Sequence, residues 1–211
     1  MNINNGYEWS THQPIIKAVM ELYTPAFVLE LGIGDNSTPV FLNYKTKLLG
    51  VESDKEWIDH IRNKYKNIDV IYHDLNEVKI FTHLKELSDD KKFEIFNYYH
   101  NLVIPELKPN LLFVDQFTAC RTLSINALYD KFDLILYHDC QYAGIPFYDY
   151  NLINVNGFIK YFLKSPSSWT GLMVRTKIDK GYTALNMAIL PYIIEYKNKN
   201  LINYMELTYI Y

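Results

Sequence analysis

Five short apolar runs constrain this chain more than any other feature. They occupy residues 27–31, 47–52, 69–72, 111–114 and 132–137. Each is too short for a helix and nearly continuous, without strict polar alternation, the pattern of a strand covered on both faces. Longer amphipathic stretches separate them. Residues 37–44 lie between the first two runs, and residues 54–67 between the second and third carry Trp57, Ile58, Ile61 and Tyr65 at helical spacing. Residues 76–107 have room for one or two helices, with Phe81, Leu84, Leu87, Phe93 and Phe96 as core positions. Such alternation predicts an α/β fold, an open parallel sheet wound with helices on both faces. In the tail, residues 172–175 and 184–189 flank the turn signal Asp179-Lys180-Gly181. They read as an antiparallel hairpin, which brings the expected sheet to seven strands. Ligands of open α/β sheets sit outside the carboxyl ends of the strands, near the point where strand order reverses. Function is therefore sought at the strand ends.

Composition narrows the classes. The 211 residues suit one domain and are 49% hydrophobic, enough for a core. A net charge of -3 leaves no basic excess for gripping nucleic-acid phosphates, so a nucleic-acid partner is not expected. No apolar run approaches the ~20 residues of a membrane span. The opening Met1-Asn2-Ile3-Asn4-Asn5-Gly6 has neither basic nor apolar leader character, so a cytoplasmic location is the expectation. Cys120 and Cys140 are too few for a disulfide framework and read as small buried residues. With 19 tyrosines against 8 glycines, a tyrosine carries little information by itself.

The first run ends in Glu30-Leu31-Gly32-Ile33-Gly34-Asp35-Asn36-Ser37-Thr38. Its glycines permit a tight turn and close approach to a ligand. Ser37 or Thr38 reads as a helix cap, with Pro39 suited to the first turn. Glu30 reads as a holder of a cationic ligand or as an anchor for the glycine loop. The second run ends in Glu52-Ser53-Asp54, with Glu52 placed 20 residues after Gly32, where a carboxylate accepts hydrogen bonds from ribose hydroxyls. Asp54 reads as a helix cap. The third ends in Tyr72-His73-Asp74-Leu75, an acid and an apolar residue able to flank a base, with His73 read as a surface residue. The fourth and fifth end in Asp115-Gln116 and His138-Asp139-Cys140-Gln141. His138 suits proton transfer near neutral pH, or equally a structural bond to a strand-end carbonyl. Arg121 reads either as an anion fork or as an ion-pair partner of Asp115 or Asp139. The aromatic stretch from Gln141 to Tyr150 reads as a lid or a packed loop.

Together Glu30-x-Gly32-x-Gly34-x-x-Ser37-Thr38, Val51-Glu52-Ser53-Asp54-x-x-Trp57 and Tyr72-x-Asp74 resemble the class I S-adenosylmethionine-dependent methyltransferases. The form with Ser-Thr after the glycines is similar to a subgroup acting on sugars or small molecules, and His138-Asp139 resembles a pair in glucuronoxylan 4-O-methyltransferase relatives. The resemblance implies a Rossmann-like fold, with residues 1–25 an N-terminal helical segment, 26–140 the cofactor core and 141–211 a substrate-side loop and closing hairpin. It implies S-adenosyl-L-methionine as cofactor, with Glu30, Gly32 and Gly34 around its methionine part, backed by Ser37 and Thr38. It places Glu52 and Ser53 at the ribose, Asp74 and Leu75 at the adenine, and Asp115 by the sulfonium. His138, Asp115 and Asp139 are then the catalytic candidates, with Gln116, Arg121, Gln141 and Tyr142 toward the acceptor. No metal is expected, because Cys140 stands where a catechol-type site needs a hard ligand beside Asp139. The implied reaction is methylation of a hydroxyl on a sugar, nucleotide sugar or other small polar acceptor. The alternatives are N-methylation of an amino sugar or amine, or a non-catalytic binding subunit.

Overall fold

A computed structural model of the chain describes residues 11–66, 68–81, 83–140, 149–199, 201 and 204–210. All eight strands among them join one sheet. The elements run α1 Gln13–Tyr23, β1 Phe27–Leu31, α2 Thr38–Leu42, β2 Lys47–Glu52, α3 Lys55–Lys64, β3 Asp69–Tyr72 and α4 Asp89–His100. They continue with β4 Asn110–Val114, α5 Thr118–Leu128, β5 Leu134–Tyr137, β6 Phe158–Lys164, β7 Trp169–Arg175, α6 Gly181–Asn198 and β8 Glu206–Ile210. Strand order is β3-β2-β1-β4-β5-β7-β6-β8. The first five strands pair in parallel, whereas β7 is antiparallel to both β5 and β6, and β8 is antiparallel to β6. No helix among the described residues is long and apolar enough to cross a membrane.

The continuous apolar runs are explained by burial on two faces. Val28, Leu111, Phe113, Leu134 and Leu136 pack on the side of α1 and α6. Their neighbours Phe27, Leu29, Leu112, Val114 and Ile135 pack on the side of α4 and α5. Successive residues of a strand point to opposite faces, so a doubly covered strand must be apolar at nearly every position.

The tail departs from expectation. Residues 172–175 do lie in a strand, β7, but residues 184–189 belong to helix α6. The hairpin is formed instead by β6 and β7 through the turn Ser165–Ser168. A six-residue apolar run cannot by itself tell strand from buried helix. Leu185, Ile189, Ile193 and Tyr196 are buried at helical spacing, and this longer register wins. The sheet accordingly gains β8 and has eight strands, not seven. Phe93, expected in the core, is exposed on α4, where Ile95 and Tyr99 face inward.

Strand order reverses between β1 and β4, and the turn after β1 is built for that position. Gly32 has φ +84, and a Cβ there would lie 2.6 Å from the backbone oxygen of Asp115. Only glycine satisfies both the left-handed backbone and the close approach of the β4 end. Behind the turn, Glu30 is fully buried on β1 and accepts hydrogen bonds from the hydroxyls of Ser37 and Thr38, the latter at 2.8 Å. The Thr38 hydroxyl oxygen in turn accepts from the Gly34 N–H at 3.0 Å. These hydroxyls therefore anchor the loop to β1; neither caps α2 through its side chain. Burial pushes the Glu30 carboxyl up to about 8, overriding the two hydroxyls that favour its charged form. Trp57 of α3 donates its ring N–H to the Ile33 carbonyl at 2.7 Å, and Gln13 of α1 donates to the Asn36 carbonyl at 2.7 Å.

Two outcomes are expected. Gly32→Ala places a side chain against backbone at positive φ and should destabilise the fold by about 1–3 kcal/mol. Gly34→Ala meets nothing nearer than Ser37 Oγ at 3.7 Å and should leave Tm nearly unchanged. Thermal unfolding of the two variants side by side checks this; equal shifts would contradict the close-approach argument. The second outcome concerns pH. With its folded pKa near 8 against an ordinary 4.5, the Glu30 contribution is complete below about pH 4.5 and is lost as pH rises through about 8. Glu30→Gln mimics the neutral acid, so its urea-unfolding free energy should fall less between about pH 5 and pH 8 than that of the unaltered chain. Parallel slopes would show that Glu30 is ionised in the folded state.

Candidate functional site

One cavity of about 580 Å³ opens at the carboxyl ends of β1, β2, β4 and β5. The β1 turn contributes Gly32, Gly34, Asp35, Asn36 and Ser37 to its wall, the β2 end Glu52 and Ser53, and the β3 end His73 and Leu75. Phe81, Tyr99 and Phe117 supply aromatic surface on the same side. The β4 and β5 ends add Asp115, Gln116, His138 and Asp139, and Arg121 reaches in from α5. The volume falls within the ordinary range of small-molecule sites.

Glu52 is arranged to receive a ligand. Its Oε1 accepts from the backbone N–H of Ser53 and Asp54 at 2.6 and 3.1 Å and from the Ser53 hydroxyl at 3.2 Å. Its Oε2 has no partner among the described residues. Burial raises its pKa, while the Ser53 and Asp54 amides resist the shift. Asp54 caps α3 by accepting from the Trp57 N–H at 3.0 Å. Asp35 is held at the rim by Lys64 at 2.8 Å and by the Tyr65 hydroxyl at 3.2 Å.

Three expected cofactor contacts are placed differently. Glu30 and Thr38 do not line the cavity; they act from behind the loop. Asp74 does not line it either and accepts instead from the Asn76 N–H at 3.0 Å, leaving His73 and Leu75 to face inward. His73, expected at the surface, is buried, with its ring stacked on Tyr98 and Nδ1 3.2 Å from the Tyr99 hydroxyl. Burial lowers its pKa to about 4.

The other end of the cavity is a charged cluster. Arg121, buried on α5, pairs through Nη2 with Asp115 at 2.9 Å and through Nη1 with Asp139 at 3.3 Å. Nη1 also donates to the His138 carbonyl at 2.9 Å, and Nε donates to the Gln116 carbonyl at 2.6 Å. Of the two readings of Arg121, the structure realises the ion pair, so its fork is committed inside the protein. Burial pushes the Asp115 carboxyl up, but Arg121 and His138 outweigh it and hold the acid at about 2. The Gln116 amide is likewise engaged, accepting from the Tyr99 hydroxyl at 2.5 Å and donating to Ser124 at 2.8 Å. Gln141 and Tyr142 lie outside the described residues.

His138 stands between hydroxyls and carboxylates. Its Nδ1 faces Asp115 at 3.4 Å and Asp139 at 3.6 Å. Its Nε2 faces the hydroxyls of Ser168 at 3.1 Å and Thr11 at 3.3 Å. The Ser168 hydroxyl donates its one proton to Asp139 at 2.7 Å, so it meets Nε2 as an acceptor. With its proton on Nε2 the neutral ring turns the Nδ1 lone pair toward the two carboxylates, and with a proton on Nδ1 it donates to Asp115. Any cation or proton arriving at Nδ1 is stabilised by both.

His12 is the site residue that sequence reasoning missed. It sits at the N-terminal end of α1, is almost fully buried, lines the cavity and stacks edge-on against His138 with ring centroids 4.6 Å apart. Among the described residues neither ring nitrogen has a partner at hydrogen-bond geometry, though the Asn36 backbone lies near enough to favour its protonated form. Burial, then the neighbouring His138, pulls its pKa down to about 3. The Thr11-His12-Gln13-Pro14 stretch carried only the signal of a helix start.

No protein-family model matches the sequence, and no curated protein matches it. Solved structures do. The plantazolicin methyltransferase BamL, in complex with a triazolic desmethylPZN analog and SAH, aligns with TM-score 0.52 and 12% identity over 95% of this chain and 84% of that one. The N-methyltransferase NodS from Bradyrhizobium japonicum WM9, in complex with S-adenosyl-L-homocysteine, aligns with TM-score 0.51 and 10% identity over 82% of this chain and 90% of that one. The magnesium protoporphyrin IX methyltransferase ChlM from Synechocystis PCC 6803, with bound SAM, gives 0.50 and 13% over 81% and 80%. At such identities the likeness is one of fold, and the chain has the α/β Rossmann-like methyltransferase fold.

Proposed function

We propose that the chain is an S-adenosyl-L-methionine-dependent methyltransferase acting on a hydroxyl of a sugar, nucleotide sugar or other small polar acceptor. The observation that carries this reading is the placement of Glu52. It lies at the end of β2 in the cavity wall, one oxygen fixed by backbone amides and the other open, beside a glycine turn at the strand-order switch. In such folds that position receives the ribose hydroxyls. Gly32, Gly34 and Ser37 would face the methionine part, and Leu75 with Phe81 and Phe117 the adenine. S-adenosyl-L-methionine supplies an electrophilic methyl group on a sulfonium. Asp35, Glu52, Asp115 and Asp139 outweigh Lys79 and Arg121 among the charged residues of the wall, which favours a cationic ligand.

On the acceptor side, Asp115 and Asp139 are fixed by Arg121, and Ser168 accepts from His138 in its Nε2–H tautomer. In that tautomer the Nδ1 lone pair takes the proton of the acceptor hydroxyl, and the two carboxylates stabilise the imidazolium that results. Methyl transfer itself is an in-line displacement in which orientation is the protein's main contribution.

Titration calorimetry with S-adenosylhomocysteine tests the cofactor half. Binding is expected, and Glu52→Ala should weaken it by about 10- to 150-fold, the equivalent of about 1.5–3 kcal/mol for hydrogen bonds to a charged group. No heat and no thermal shift at millimolar ligand would end the assignment. For the acceptor half, His138→Ala should lower turnover by about 10²–10⁴ while cofactor affinity stays unchanged. Near-normal turnover in that variant would show that the histidine is structural.

A further inference from the structure

At the acceptor end of the cavity, proton transfer leaves His12 unused. His12, Asp115 and His138 each offer a ligand atom, and the three atoms lie within 4.8 Å of one another. They come from the start of α1, the end of β4 and the end of β5. We infer that His12, Asp115 and His138 form a binding site for a divalent transition-metal ion, open toward the cavity.

Two independent observations point to a cation there. The first is His12, an imidazole almost wholly buried in the cavity wall, with neither ring nitrogen at hydrogen-bond geometry to any described residue and only the Asn36 backbone near. An unsatisfied buried polar group costs about 1–3 kcal/mol, and a ligand that uses its lone pair relieves that cost. The second is the hydrogen-bond chain at His138. Ser168 donates to Asp139 and stands 3.1 Å from Nε2, so in the Nε2–H tautomer the Nδ1 lone pair lies on the Asp115 side, free for a cation. A ligating histidine is ordinarily held by its other N–H in this manner. Asp115 bonds Arg121 and faces His138 through the same oxygen, Oδ1, leaving Oδ2 without a protein partner among the described residues.

The donor set selects the ion. Two imidazoles and one carboxylate suit Zn²⁺, Fe²⁺, Co²⁺ or Mn²⁺, while Mg²⁺ prefers an all-oxygen shell. Charge permits it: with both histidines neutral, Asp115, Asp139 and Arg121 sum to one negative charge, so a dication leaves the cluster at +1. Metal–ligand bonds of about 2.0–2.2 Å require the donors to draw together to roughly 3–3.5 Å, a small rotation of side chains. Three protein ligands leave positions open to the cavity. A bound ion would supply Lewis-acid polarisation of an acceptor hydroxyl there, with His138 a ligand and Asp139, in the same wall, left to take the proton. The expectation of a metal-free site weighed Asp115, Asp139 and Cys140 alone; His12 supplies what that set lacked. The inference rests on the acceptor-side half of the proposed function, and the two can fail separately.

The test uses the full chain stripped with chelator. Titration calorimetry with Zn²⁺, Mn²⁺ and Mg²⁺ should give one site for Zn²⁺ or Mn²⁺ and at least about 100-fold weaker binding of Mg²⁺. Co²⁺ should develop the visible absorption of an imidazole-bound ion. His12→Ala should weaken binding by about 100-fold or more, and His12→Gln, which better preserves the packing, should do the same. S-adenosylhomocysteine affinity is measured on the same samples. If the unaltered chain binds the nucleoside but no transition ion, or if both His12 variants bind the ion as tightly as it does, the metal site is wrong and the methyltransferase reading stands. If the ion binds and S-adenosylhomocysteine does not, the metal site stands and the methyltransferase reading falls.

Discussion

The buried guanidinium of Arg121 is the interaction on which the acceptor end depends. Two carboxylates, Asp115 and Asp139, stand at the ends of adjacent strands beside a histidine, in a setting that raises the cost of each charge. For Asp115, burial disfavours the charge and the Arg121 cation offsets it. Arg121 answers both carboxylates from a single planar group and ties itself to the backbone of Gln116 and His138 as well. Lysine, a point charge with a flexible stem, could not span those four partners. The ends of β4 and β5 thus remain charged and ordered, and His138 keeps its carboxylate neighbours.

The opposite end is organised by neutrality instead. Glu30, raised to about 8 by burial, is largely an uncharged acid at neutral pH and serves as a hydrogen-bonding post for Ser37 and Thr38. The two ends touch at Gly32, whose missing side chain lets the β1 turn rest on the Asp115 backbone. One wall of the cavity is consequently common to both halves of the site.

Much of this was legible in the sequence, for identifiable reasons. Doubly buried strands must be apolar throughout, so the five parallel strands stood out. Gly32, Gly34, Glu52, Asp115, His138 and Asp139 were legible because strand ends are where such sheets bind ligands, and the structure brings all six into one cavity wall. What escaped depended on contacts distant in sequence. Arg121 could be read as a free fork or a paired one until Asp139, 18 residues on, was placed beside it. Asp74 looks like a ligand acid in sequence, yet a turn amide takes it, and of the two readings of Glu30, ligand holder or loop anchor, the Ser37 and Thr38 hydroxyls realise the anchor. His12 lies 126 residues before His138, and no local pattern marks it. Residues 184–189 were misread as a strand because a short window hid the helical register of Leu185, Ile189, Ile193 and Tyr196.

The reversed direction of β7 has its own consequence. Because β6 runs with the parallel strands and β7 against them, the turn at Ser165–Ser168 arrives at the same edge of the sheet as the end of β5. Ser168 thereby reaches His138 Nε2 from 30 residues away and bonds Asp139 beside it. This turn is a tuning element set apart from the scaffold. Position 168 touches the imidazole yet takes part in no parallel pairing and stands outside the cradle at Gly32.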